Sequence, residues 1–192
     1  MLLDENYWTN RYNHNDTPWD ANSITTPLKT YFDQLQDTSI KILIPGAGNA
    51  HEAAYLYEKG FKNVYIADIS SAPLMQFQSR YPSFPKSQLL HQDFFNLMGN
   101  YDLIVEQTFF CALDPSLREP YAHKCAELLT RGGKLMGVLF NTEFHHEGPP
   151  FGGSKEEYVS YFEPYFNLKY FEVCYNSIKP RQGRELFILC EK

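Results

Sequence analysis

The chain has 192 residues, 43% hydrophobic, 16% aromatic and 21% charged, and its 17 Lys+Arg against 23 Asp+Glu leave a formal charge of −6. That length suits one domain burying about 70% of its unfolded surface, and an acidic chain without a Lys/Arg cluster lacks the footprint of a nucleic-acid backbone binder. No apolar run approaches the roughly 18 residues that span a bilayer, and the opening MLLDENYW carries acid where an export signal carries base. No membrane or nucleic-acid partner is expected, and the expected location is cytoplasmic. Cys111, Cys125, Cys174 and Cys190 are scattered without a C-x-x-C pair, so they read as reduced thiols, not as a disulfide or zinc framework. The aromatic load stands out: 14 Tyr, 15 Phe and two Trp, both Trp within the first twenty residues.

The first forty residues are polar and dotted with aromatics, and they predict at most one helix, from Ser23 to Leu35. Lys41 to Pro45 is a short buried-strand candidate closed by a Gly-rich turn. A helix follows from Asn49 to Lys59, with Gly60 at its stop position. Val64–Ala67 reads as a second strand ending on Asp68, and Ser71 and Pro73 as the cap and first turn of the next helix. Leu89–His91 is a weak third strand and Tyr101–Val105 a stronger fourth. Asp114-Pro115 opens a helix expected to run through Leu129 and to stop at Gly132-Gly133, before a fifth strand at Lys134–Phe140. Strands separated by helical patterns of this length make β-α-β units and a mostly parallel, doubly wound sheet. After a Pro/Gly loop from His145 to Gly153, Ser154-Lys-Glu-Glu157 starts a short helix with a capping box. Leu168–Cys174 and Glu185–Cys190, with no helix between them, form an antiparallel pair.

The chemistry concentrates at the first strand's end. Gly46 and Gly48 permit a tight turn and close approach of a ligand to the backbone. Asp68 ends the second strand twenty residues after Gly48, where a carboxylate accepts from ribose hydroxyls. Together they indicate a nucleoside-containing cofactor. A pyrophosphate fingerprint wants a small residue where His51 stands, and the nearest approach to a dehydrogenase Tyr-x-x-x-Lys is Tyr121-Ala-His-Lys124, one residue short. A nicotinamide-dependent oxidoreductase is therefore the weaker reading. S-adenosylmethionine, which needs ribose recognition and room for a methionine tail but no diphosphate cradle, is the stronger.

Thr17-Pro-Trp19-Asp20, ILIPGAGNAHEA, Ala67-Asp68-Ile-Ser70, Gln92-Asp93-Phe-Phe95 and YDLIVEQTFFCALDP follow one another with a spacing that resembles the thiopurine methyltransferase superfamily, most closely its thiol/halide (thiocyanate) methyltransferase branch. The resemblance runs from Trp8 to about Tyr165 and implies a class I methyltransferase fold of seven strands, the last antiparallel. It implies one domain over 1–192: an N-terminal lid and helix (1–38), a cofactor-binding β/α core (39–140), and a loop, helix and C-terminal β-hairpin (141–192). Carried over, Gly46 lines the methionine end of the cofactor with Gly48 in the same turn, and Asp68 takes the ribose hydroxyls with Ile69 beside it. Asp93 and Phe94 hold and stack on adenine. Trp8 and Trp19 match two lid aromatics, while Tyr12 stands where the plant halide enzymes carry another Trp. The alternative for the two Trp is hydrophobic stapling of the N-terminal segment to the sheet. After the fourth strand, the halide branch has an acid followed by Tyr and the thiopurine branch an acid followed by Arg; here Glu106 precedes Gln107, facing the methionine tail or the methyl acceptor.

The implied activity is S-adenosylmethionine-dependent methyl transfer to a small soft nucleophile (a thiol, a halide or thiocyanate, or a thiopurine sulfur) by a monomer or weak homodimer. A catalytically idle S-adenosylmethionine-binding protein is the other alternative. No metal site is expected: the adjacent His145 and His146 diverge and read as a solvated loop. His51 is expected to organise the cofactor turn, to pair with Glu52, or simply to pack. Cys111 reads as part of a buried apolar run, and Arg181 and Arg184 as a solvated hairpin tip that could also attract an anionic acceptor.

Overall fold

The computed structural model describes residues 2–192. Seven strands, β1 (Ile42–Pro45), β2 (Val64–Asp68), β3 (Leu89–His91), β4 (Tyr101–Gln107), β5 (Leu129–Phe140), β6 (Asn167–Val173) and β7 (Glu185–Glu191), form one sheet. Their order is β3-β2-β1-β4-β5-β7-β6. Strands β1 to β5 pair in parallel, and β7 runs antiparallel to both β5 and β6. This is the doubly wound, mostly parallel sheet with an antiparallel last strand that the sequence predicts.

Every residue of β1 is buried because both faces of the sheet are covered, which is why ILIP reads as one apolar run without alternation. Leu43 packs into the core on one face, with Ile104, Tyr121 and Phe162, while Ile42 and Ile44 pack on the other, with Leu28, Leu56 and Phe77. Successive strands step from β1 to β2 and β3 on one side, then return to β4 on the other. That reversal opens a crevice beyond the C-terminal ends of β1 and β4, the place where open α/β sheets bind ligands.

Five local expectations change. The first forty residues hold two helices, α1 (Glu5–Asn13) and α2 (Thr26–Phe32). In α1 the Asp4 side chain caps the N-terminus by accepting from Tyr7 N at 2.9 Å, and the inward residues are aromatic, not aliphatic, so apolar periodicity does not reveal it. The third helix, α3 (His51–Glu58), ends before Gly60 as expected, and Gly60 takes a φ of +90°. The cap of α4 (Ser71–Arg80) is Ser70, which accepts from Ala72 N, and not Ser71. Asp114-Pro115 opens a 3-10 turn at Pro115–Leu117, and α5 (Arg118–Leu128) follows it. Strand β5 begins at Leu129, not Lys134: Tyr101 pairs with Leu129 and Leu103 with Lys134, so residues 130–133 bulge out of register within the strand. The last helix, α6 (Lys155–Phe162), is capped by Ser154 accepting from Glu157 N at 3.3 Å, but the Glu157 carboxylate turns to Arg118, so only half of the capping box forms. Among the described residues, no helix is long and apolar enough to cross a membrane.

Candidate active site

A cavity of about 530 Å³ opens at the C-terminal ends of β1, β2 and β4, roofed by the N-terminal segment. Trp8, Tyr12, Trp19, Gly46, Gly48, Asp68, Ile69, Asp93 and Gln107 all line it. The sequence-predicted cofactor residues therefore meet in one place, with one exception given below.

The floor is set by backbone conformation. Gly46 and Gly48 have φ of +57° and +51°, and Ala50 follows at +53°. A Cβ on Gly46 would overlap the Phe109 ring, and one on Gly48 would come within 2.9 Å of the Tyr12 hydroxyl, so the turn has no room for side chains. At the end of β2, Asp68 accepts from Gly48 N at 3.1 Å and Ser70 N at 2.9 Å. Burial pushes its carboxyl up to about 6, against the pull of those two N–H groups and of His91. Two N–H donors leave this buried carboxylate further lone pairs, as a ribose diol would require. Asp93, beyond β3, caps the next 3-10 turn by accepting from Phe95 N at 2.9 Å.

The roof is aromatic. Trp19 meets the Trp8 ring edge-on at 5.6 Å between centroids and the Tyr12 ring at 6.0 Å, and the Arg11 guanidinium lies over Trp19 at 4.9 Å. Tyr12 is buried, and burial together with the nearby Asp68 raises its phenol well above the usual range. Trp8 and Trp19 thus pin the segment and wall the cavity at once.

On the side beyond β1, the lining comes from remote segments. Gln107 at the end of β4 accepts from Thr25 Oγ1 at 2.8 Å through Oε1, while its buried Nε2 has no partner. Arg181 is not at a solvated tip: it is 8% exposed and lines the cavity. Its Nη2 donates to the Trp19 carbonyl at 2.6 Å, and its Nη1 lies 3.5 Å from Glu185 without a hydrogen bond. His51 pairs with Asp20 and not with Glu52, its Nε2 lying 2.8 Å from Asp20 Oδ1. Burial opposes the charge on Asp20, but hydrogen bonds from His51, Asn49 and Asn22 N outweigh it and pull the carboxyl down to about 2. Glu52 is buried and raised by that burial. Cys111 also lines the cavity, but burial pushes its thiol up and the Sγ donates to the Thr108 carbonyl, so it is no nucleophile.

Two expected site residues are placed elsewhere. Phe94 does not line the cavity; it is 4% exposed and packs against Phe95, Phe109 and Tyr121 in the core. Asp93 caps the 3-10 turn Phe94–Asn96, and that turn points the Phe94 ring inward. Glu106 also faces away from the cavity, since a strand that presents Gln107 on one face must present its neighbour on the other. Its Oε1 accepts from Phe109 N and Phe110 N at 2.8 and 2.9 Å, and its Oε2 from the Tyr121 hydroxyl at 2.5 Å. Burial pushes the carboxyl up to about 7 despite the three donors. Glu106 therefore staples the turn in which Thr108, a β-branched residue, is held at a φ of +60°. The residues missed by sequence reasoning are Asp20 as the partner of His51, Thr25 as the partner of Gln107, and the burial of Arg181; only Asp20 carried a signal, within the Thr17–Asp20 string. His145 and His146 are exposed, with His146 against Phe144.

The sequence profile of the thiopurine S-methyltransferase family matches residues 3–189. A thiocyanate methyltransferase of Brassica oleracea is 28% identical over 95% of this chain and 83% of its own, and a probable thiol methyltransferase of Arabidopsis thaliana is 26% identical over 96% and 85%. A methyltransferase of Burkholderia thailandensis, solved with S-adenosylhomocysteine and 1,6-didemethyltoxoflavin bound, superposes with a TM-score of 0.75 at 15% identity, covering 98% of this chain and 86% of that one. The fold is that of the class I S-adenosylmethionine-dependent methyltransferases, and these matches displace the nicotinamide reading. The chain is a methyltransferase and belongs to the thiopurine S-methyltransferase family.

Proposed function

We propose that this methyltransferase moves a methyl group from S-adenosylmethionine to a small soft nucleophile, a thiol, a thiopurine sulfur, or an anion such as thiocyanate or a halide, by direct in-line displacement. The observation that carries this reading is the make-up of one cavity lining, in which the guanidinium-bearing Arg181 and the amide-bearing Gln107 join Asp68 and the aromatic residues Trp8, Tyr12 and Trp19. A cationic side chain and an amide in the same lining favour an anionic guest, a hydrogen bond to a charged group being worth about 1.5–3 kcal/mol. When bound, S-adenosylmethionine supplies an electrophilic methyl group on a sulfonium. Asp68 would accept from its ribose, and the Gly46–Gly48 turn would admit its methionine end.

Trp8, Tyr12 and Trp19 line the cavity, where an aromatic face turned to a bound sulfonium would be worth roughly 0.5–2 kcal/mol when desolvated. The same roof excludes water, so a soft anion reaches the methyl group without its hydration shell. Alignment of two bound partners supplies most of the rate, because a thiolate or halide needs no covalent help from the protein.

Calorimetry should detect S-adenosylhomocysteine binding, and methyl transfer should appear with at least one of iodide, thiocyanate and bisulfide. Trp19→Ala should weaken S-adenosylhomocysteine roughly tenfold or more, beyond any loss of thermal stability. Absence of binding at high cofactor concentration sinks the reading; binding without turnover on any of these acceptors leaves the idle cofactor-binding protein instead.

A further inference from the structure

We infer that His51, oriented by Asp20, is the general base that takes the proton from a neutral thiol acceptor; this rests on the acceptor class proposed above. Halides and thiocyanate arrive as anions and need no base. A thiol near neutral pH is mostly protonated, with an unperturbed pKa near 8.5, and must lose its proton before its sulfur attacks. The cavity lining offers one imidazole, His51, and 25% of its side chain is exposed.

The tautomer follows from the partner. Asp20 Oδ1 takes the His51 Nε2 contact at 2.8 Å and the Asn22 N–H at 2.7 Å, and Oδ2 accepts from Asn49 Nδ2. A carboxylate gathering three donors is ionised and only accepts, so the imidazole proton sits on Nε2. The neutral ring therefore carries its free lone pair on Nδ1. This is the arrangement in which a carboxylate fixes a histidine as base. Asp20 is itself fixed: the Trp19 carbonyl beside it accepts from Arg181, and the Asn49 carbonyl accepts from Arg80. Two segments distant in sequence thus clamp the pair.

The charged groups packed about the pair are Asp20 from the 17–20 segment and Glu52 from the helix of His51, with Arg181 from the turn before β7 and Arg80 from α4 reaching the adjoining Trp19 and Asn49 carbonyls. In the step itself the thiol proton passes to His51 Nδ1. The sulfur lone pair forms the new S–C bond as the donor's sulfonium S–C bond breaks, releasing a neutral thioether, and the imidazolium returns its proton to solvent.

The test compares wild type, His51→Gln and Asp20→Asn on two acceptors, an alkanethiol and thiocyanate, between pH 6 and 9. If the enzyme takes thiols alone, an aromatic thiol ionised at neutral pH replaces thiocyanate. For His51→Gln, the ratio of kcat/KM for the alkanethiol to that for the anion should fall about 100-fold at pH 6–7, the lower end of general-base effects. That deficit should shrink as pH rises toward the thiol's own pKa, where solution supplies the thiolate. Asp20→Asn should lower the same ratio by a smaller factor. Independently of turnover, ¹⁵N NMR of the cofactor-free protein should show His51 protonated at Nε2 and bare at Nδ1.

Equal losses on both acceptors, or no loss on either, overturn the assignment, since a residue that only holds the turn or the cofactor does not distinguish them. The opposite tautomer also overturns it. A wild type that methylates thiocyanate but no thiol leaves His51 no proton to take and overturns it while sparing the proposed function. A wild type inert toward every acceptor overturns both.

Discussion

The wall of the cavity beside β2 and the wall beside β4 and β7 enclose one space but are assembled from different kinds of contact. The first is local: Gly46, Gly48 and Asp68 lie within one β-α-β unit and are joined by backbone N–H groups of that unit. The second is a convergence of remote side chains, with Thr25 meeting Gln107, Asp20 meeting His51 and Arg181 meeting Trp19. A local wall follows once its strand and turn form. A remote wall exists only when the whole sheet has closed, so its residues combine substrate recognition with stability, and substitutions there should show both effects together.

The largest expected effect tests that coupling. Arg181→Ala removes the donor to Trp19 and leaves Glu185, 3% exposed, buried without its cation. Breaking a buried pair costs about 3–5 kcal/mol, or roughly 6–20 °C in Tm for a chain of this size. KM for thiocyanate should rise about tenfold or more, while affinity for S-adenosylhomocysteine changes less. A variant that keeps its Tm and its KM would show that the two walls are not different in kind.

A second effect separates the ends of β2 and β4 by pH. Asp68 and Glu106 are both raised above their unfolded values, to about 6 and about 7. Each contributes stability that is complete below about pH 4 and lost as pH rises through its folded value. Thermal stability should therefore fall between pH 5 and pH 8, by about 4 kcal/mol or roughly 8–16 °C. Glu106→Gln should flatten the upper part of that fall and Asp68→Asn the lower part, whatever their Tm at any one pH. A wild-type Tm that climbs from pH 5 to pH 8 would contradict both assignments.

The same contrast explains what could be read in the sequence. The Gly46–Gly48 turn and Asp68 were legible because a left-handed turn demands glycine and the acid follows at a fixed distance in the next strand. The order and direction of the strands were legible too, because helical patterns between strands force parallel pairing and their absence allows a hairpin. The His51–Asp20 pair was not, since it spans 31 residues and nothing in either segment specifies the other. Arg181 read as a solvated turn residue because Lys179-Pro-Arg-Gln-Gly183 is turn chemistry; its burial arises from the N-terminal roof, 162 residues away, folding onto it. Helix α1 escaped because its inward side is aromatic and its capping Asp4 is a single residue's signal. Glu106 and Gln107 were seen as one motif, yet adjacent strand residues point to opposite faces, and the turn at Thr108 decides which of them meets the cavity.

Phe94 gives the smallest effect and the finest discrimination between wall and core. It follows Asp93, which lines the cavity, but its ring packs against Phe95, Phe109 and Tyr121. Phe94→Leu should cost about 1–2 kcal/mol, less than a full truncation to Ala because most of the buried volume is kept. Affinity for S-adenosylhomocysteine should stay within about twofold, because the cap from Asp93 to Phe95 N is a contact of the carboxylate and backbone and survives the change. A tenfold loss of affinity without a matching loss of stability would put the ring against the adenine after all. Between those outcomes lies the distinction on which the site rests: in a chain this rich in aromatics, the rings that bind and the rings that pack are told apart by the direction of one turn.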